Sequence, residues 1–231
     1  MIKRLLAAAF GITASLTLVN TTWAVDYTEV GDAGNSYGTA QSTAASAASA
    51  GAPLNRIFGS LSAISDADIF VIYISNPAAF SATTVNSLTG ATNLDTQLFL
   101  FDSQGRAVFG NDDDASGTTL GSTLPGGNAF GPQVAGIYYL GISLSGNDPI
   151  NFASQLMFLL PSTSTEIRQR NPNAPGSVFN FDPSRVTSTT GGAYQIDLIG
   201  AQTAFVPEPT TIALAVFGAI GIAAVARKRR A

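Results

Sequence analysis

In the middle of this chain carboxylates are the only strong acid–base groups. The 231 residues include no cysteine and no histidine, and the two lysines stand at positions 3 and 228. Disulfides, thiolate or imidazole metal sites, and Ser-His-Asp or Cys-His catalysis are thereby excluded, as are Ser-Lys dyads and Schiff-base chemistry between residues 25 and 206. The densest charge is Asn111-Asp112-Asp113-Asp114, directly before a Gly/Ser/Thr loop. Adjacent carboxylates repel unless a cation or donors neutralise them. This loop therefore reads either as a hard-metal site or as a solvated turn in which Asp112 or Asp113 bonds its own backbone. It is not an EF-hand, because the alternating ligands and the terminal Glu are missing. Asp95, ahead of an apolar run, reads as a turn former that accepts backbone N–H groups. A glycosidase-like pair would need two acids about 5 to 9 Å apart across a cleft. The two glutamates of this region, Glu29 and Glu166, lie in weakly patterned stretches, so no enzymatic activity is expected. Tyr138 and Tyr139 alternate faces, which leaves at most one exposed for sugar stacking.

The elements that must position these groups lie between two ends of a different character. Lys3 and Arg4, an apolar stretch from Leu5 to Val19 and the small-x-small Thr22-Trp23-Ala24 read as a signal peptide over residues 1–24, cut between Ala24 and Val25 by signal peptidase. At the other end Pro207-Glu208-Pro209 breaks the chain. Thr211 to Ala226 follows without a charge, then Arg227-Lys228-Arg229-Arg230. As a helix, residues 211–226 would span about 24 Å, the short limit for crossing a bilayer. Basic flanks stay cytoplasmic. With both basic ends inside, the middle is the part that crosses. It carries fourteen acids against five arginines, a surface that repels a phosphate backbone, so no nucleic-acid partner is expected.

Residues 201–231 resemble the PEP-CTERM sorting signal of Gram-negative bacteria in motif, spacing and order. The resemblance implies recognition and cutting by an exosortase, an inner-membrane intermediate, and a final place at the cell surface or outside the cell.

Between the ends the periodicity is that of strands. Short runs rich in Ile, Val, Phe, Tyr and Leu occur at 55–61, 68–74, 80–85, 96–101, 106–109, 137–144, 152–160 and 194–199, divided by Gly, Asn, Asp, Pro and Ser. Runs 96–101 and 137–144 are apolar on both faces, as in strands covered on both sides. Asp102-Ser103-Gln104-Gly105 is a hairpin turn. Residues 25–54 form a leader whose Ala/Ser/Thr tract, 39–50, reads as a loop or a weak helix. Residues 161–190, with four prolines, read as a mobile loop. The expected fold is all-β, an antiparallel β-sandwich or jelly roll over residues 55–200, flanked by a signal helix and a transmembrane helix.

The order of motifs in this region is similar to the pre-peptidase C-terminal family, in its PEP-CTERM-associated branch. The stations are residues 29–35, Ala40-Gln41, 57–61 leading to Asp66-Ala67-Asp68-Ile69-Phe70, 95–102, 111–113, 136–140 and Gly192-Ala193-Tyr194. The resemblance implies a jelly-roll sandwich without catalytic activity. It also implies a calcium site, because calcium-binding members of the related collagen-binding branch use acids in the positions of Glu29, Asp32, Asp66 and Asp68. The other reading of Asp66 and Asp68 is a turn before the strand at Ile69. The function expected is a secreted, non-enzymatic surface or matrix protein. The alternatives are a calcium-dependent module that binds polysaccharide or protein, and a carboxylate hydrolase.

Overall fold

A computed structural model describes residues 23–85 and 94–206. The signal-peptide residues before Trp23, the Pro207-Glu208-Pro209 motif, the helix expected at 211–226 and the basic cluster lie outside the described residues. Strands β1 (Val25–Thr28), β2 (Gln41–Ser42), β3 (Leu54–Leu61), β4 (Ala67–Ile74) and β5 (Ser81–Thr83) come first. They are followed by β6 (Thr96–Phe101), β7 (Ala107–Asn111), β8 (Thr123–Leu124), β9 (Gly136–Leu144) and β10 (Asp148–Ile150). The last four are β11 (Arg168–Gln169), β12 (Asn180–Asp182), β13 (Gly192–Ile199) and β14 (Ala201–Thr203). One sheet runs β1-β3-β13-β5-β8 and a larger one β11-β7-β6-β9-β4-β14, with β2 beside β4, while β10 and β12 pair separately. Among the described residues no helix is long and apolar enough to cross a membrane.

Alternation along the strands builds two apolar layers. Phe70, Ile72, Leu98, Leu100, Tyr138 and Leu140 of the larger sheet share one cluster with Ile57, Leu61, Ala82, Tyr194 and Ile196 of the smaller sheet. Their neighbours Ile69, Val71, Phe99, Phe101 and Tyr139 point the other way and are covered by Met157, Phe158, Val178 and Phe181. All six residues of β6 are buried, which is why both of its faces read as apolar. Each large side chain so buried contributes about 1.5–3 kcal/mol. Tyr138 and Tyr139 do alternate, and both are core. The turn after β6 forms as its composition dictates, with Gly105 at φ +74° and Gln104 N–H donating to Asp102 Oδ1 at 2.8 Å.

Four expectations need correction. The sheets are not purely antiparallel, because β1 runs parallel to β3 and β2 parallel to β4. Parallel pairs require a crossover of a dozen or more residues: the leader supplies it between β1 and β3, and the stretch that contains β3 supplies it between β2 and β4. The tract 39–50 is neither plain loop nor helix: it holds β2 and a single 3-10 turn at Ala47–Ser49. Residues 152–160 form no strand, only isolated bridges from Leu156 to Ile150 and from Phe158 to Arg170. Met157 and Phe158 plug the outer cluster while Phe152 and Leu160 stay exposed. The segment 161–190 is not simply a loop. Its β11 pairs with β7, its β12 pairs with β10, and it buries Arg168 at 6% exposure.

Candidate metal centres

The first acidic group forms where the leader crosses the start of β4. Asp68 is fully buried there, because β4 is interior from Ala67 to Ile72. Ile69 N–H donates to Gly34 O at 3.1 Å, which ties the leader to the strand. Glu29 Oε1 accepts from Ala33 N–H at 2.9 Å and Oε2 from Ser60 N–H at 3.0 Å. Asp32 Oδ1 accepts from Gly34 N–H at 3.1 Å. One carboxylate oxygen from each of Glu29, Asp32 and Asp68 lies within 4.8 Å of the other two. Tyr194 of β13 donates its hydroxyl to Asp68 Oδ2 at 2.6 Å, while Asp68 Oδ1 is buried without a partner. Gly59 makes room for this approach: a Cβ there would stand 2.2 Å from the Tyr194 hydroxyl and 2.7 Å from Glu29 Oε2. Burial outweighs the Tyr194 hydrogen bond and, with repulsion from Glu29, Asp66 and Asp32, pushes the Asp68 carboxyl up to about 8. The Tyr194 hydroxyl is pushed well above its ordinary value, by burial first and the Asp68 charge second.

Asp66 does not join this group. Its Oδ2 accepts from Ser62 N–H and Oγ–H, closing a tight turn ahead of β4. The turn reading holds for Asp66, whereas Asp68 converges with the leader acids.

The second group lies at one end of the larger sheet and is not the contiguous loop of the sequence. It consists of Asp95, Asp112 and Asp113, again with one oxygen of each within 4.8 Å of the others. Asp95 stands just before β6, and Asp112 and Asp113 just after β7, so antiparallel pairing of β6 with β7 brings them together. Asp95 thus faces Asp112 and Asp113 across the strand pair. Asn111 points elsewhere: its Oδ1 accepts from Thr123 N–H at 3.0 Å. Asp114 caps its own loop, its Oδ2 accepting from Ser116 N–H at 3.0 Å, and that bond holds its carboxyl below the usual range. Burial, aided by Asp112 and Asp113, pushes Asp95 up to about 6. Burial also raises Asp112, against the pull of Arg168.

Sequence reasoning missed the ionic network attached to this group. Arg168 NH2 pairs with Asp112 Oδ2 at 3.0 Å and NH1 with Asp148 Oδ1, and Arg185 pairs with Asp148 Oδ2. These side chains, with Ser145, line a cleft of about 280 Å³. Arg168 also lies 6.0 Å over the Phe99 ring. Arg168 stands among polar residues in a proline-rich stretch, and nothing local marks it as buried.

Residues 205–230 match the PEP-CTERM protein-sorting motif. No curated protein matches the chain. The matched segment begins where the described fold ends. Ala204 N–H donates to Thr43 Oγ1 at 2.9 Å and Val206 N–H to Ser42 Oγ at 3.1 Å, so the chain is held to the sheet up to the residue before Pro207. The motif supports an exported protein sorted by an exosortase, with a cell-surface or extracellular fate in a Gram-negative bacterium.

Proposed function

We propose that this chain is a non-enzymatic surface or extracellular-matrix protein whose two-layered β domain, residues 25–206, is cargo delivered by a removable sorting tail. The match at 205–230 carries this reading. The junction agrees with it, since Val206, directly before Pro207-Glu208-Pro209, is still bonded to Ser42 of β2. In this reading residues 1–24 are a signal peptide that completes the route, and an edge strand β1 that begins at Val25 agrees with a cut after Ala24. The domain is read as a jelly-roll sandwich of the pre-peptidase C-terminal type. One observation supports the non-enzymatic reading: in the 280 Å³ cleft the acids Asp112 and Asp148 are paired with guanidiniums.

The test is mass spectrometry of the protein released at the cell surface. Peptides should start at Val25 and stop near Pro207-Glu208-Pro209. Recovery of Thr211–Ala226 in released protein would refute the processing route.

One observation favours a second reading, a calcium-dependent binding module. Glu29, Asp32 and Asp68 converge, Asp68 Oδ1 is buried without a partner, and oxygen-only ligands suit calcium. An ion there would pin the leader to β4. The exposed Phe152 and Phe179 rings, 5.1 Å apart and edge-on, offer an apolar contact for a polysaccharide or protein ligand. A glycan and matrix-protein array, run with and without calcium, separates the two readings: calcium-dependent capture supports the module and its absence leaves the cargo reading.

A further inference from the structure

We propose that Asp95, Asp112 and Asp113 form a second site for a hard divalent cation, calcium by its chemistry, independent of the Glu29 group. Their oxygens lie within 4.8 Å of one another, the span that ligands on opposite sides of one calcium ion reach at about 2.4 Å each. Convergence alone would not make a site. The second observation is a concentration of acceptors without donors. Asp112 is only 7% exposed, yet its Oδ1 has no partner, and the Oδ1 of Asp113 is buried and equally unpartnered. Gln97 is wholly buried two residues after Asp95 in the alternation of β6. Its Nε2–H donates to Leu144 O at 2.8 Å, while its Oε1 is left without a donor. Buried acceptors are normally satisfied, and a cation satisfies several at once.

The local charge points the same way. The guanidinium of Arg168 is spent on Asp112 and Asp148, and that of Arg185 on Asp148. Among the described residues no ion pair reaches Asp95 or Asp113. Four carboxylates against two guanidiniums leave two negative charges uncompensated, which one divalent ion neutralises. Such an ion would clamp the entry of β6 to the exit of β7. Both ends already reach further: Asp95 O accepts from Ser145 N–H at 2.9 Å, and Asp113 N–H donates to Ser164 O at 2.9 Å.

Calorimetric titration of the full-length protein with calcium chloride tests the site, using Asp113→Ala, Asp95→Asn and Glu29→Gln. The expected result is at least a tenfold loss of affinity for one calcium ion in Asp113→Ala and Asp95→Asn, with that ion retained in Glu29→Gln. Near-ultraviolet circular dichroism checks the fold, and if Asp113→Ala misfolds the milder Asp95→Asn decides. Equal affinity in the folded variants and the wild type overturns the proposal. So does the absence of wild-type binding up to about 10 mM calcium, beyond the range of weak extracellular calcium modules, and so does loss of this ion in Glu29→Gln alone.

Discussion

The two acidic groups solve one problem, three carboxylates brought together, by different means. Around Glu29, Asp32 and Asp68 the compensation comes from neutral donors: the backbone N–H groups of Ala33, Ser60 and Gly34 and the Tyr194 hydroxyl. No arginine pairs with these three acids among the described residues. Asp68 answers by holding its proton, and its carboxyl is pushed up to about 8. Around Asp95, Asp112 and Asp113 a buried guanidinium pairs with Asp112 alone of the three, and Asp95, only half-buried where Asp68 is fully buried, is raised less, to about 6. Burial raises Asp68 against a neutral hydroxyl donor and raises Asp112 even against the full charge of Arg168, so the groups differ in the kind of compensation and not in which effect wins.

The largest expected effect would break the second arrangement. Arg168→Met removes the cation and leaves Asp112 and Asp148 buried, with Arg185 facing Asp148 alone. Losing one partner of a buried pair costs about 3–5 kcal/mol, and urea unfolding should show a loss of that size. A loss under about 1 kcal/mol would mean that the carboxylates simply protonate, as Asp68 does.

A smaller effect sharpens the comparison through pH. Asp68 is raised in the fold relative to the unfolded chain, so the native state binds the extra proton, and stability falls as pH rises from about 4 toward about 8. Asp95 contributes in the same sense only up to about 6, which leaves pH 6 to 8 chiefly to Asp68. Calcium-free thermal unfolding should lose at most about 1.4 kcal/mol per pH unit in that window. Asp68→Asn should flatten the slope there and, between about pH 4 and 6, reduce it to the part that Asp95 contributes. An unchanged slope between pH 6 and 8 would place the titrating proton on another group.

The smallest effect concerns the acids that sit near each group without joining it. Asp66 bonds Ser62, and Asp114 bonds Ser116. Asp66→Asn and Asp114→Asn should each change stability by no more than about 1 kcal/mol and leave any calcium-induced rise in melting temperature in place. A lost calcium response in either variant would redraw the boundary of its group.

How far the fold was legible depends on whether the signal was local. Short runs of Ile, Val, Phe, Tyr and Leu between turn residues located β3, β4, β6, β9 and β13 within a residue or two, because side-chain burial leaves its mark in the strand itself. It failed at 152–160, where Met157 and Phe158 are as apolar as strand residues but cover a sheet instead of entering one. Apolar composition records burial and says nothing of which backbone supplies the hydrogen bonds. The strands β1 and β2 left no clear pattern, being four and two residues long and without a buried residue.

The candidate sites divide in the same way. Glu29, Asp32 and Asp68 were named from motif order and they converge, while Asp66, from the same motif, is turned away by the hydroxyl and N–H of Ser62. Asp95 and Asp112–Asp113 are joined only because β6 and β7 pair, and Arg168 meets Asp112 across 56 positions of sequence.

The sequence by itself determined the available chemistry and the route: no thiol, imidazole or central amine, oxygen ligands in excess, and a sorting motif at 205–230. These are properties of residue type and linear order, and no folding is needed to read them. Only the tertiary structure decided which carboxylates face one another, which arginine is buried between them and which oxygens lack a donor. Those facts depend on strand pairing between distant segments, where a partner is chosen by the whole sheet and not by the residues beside it.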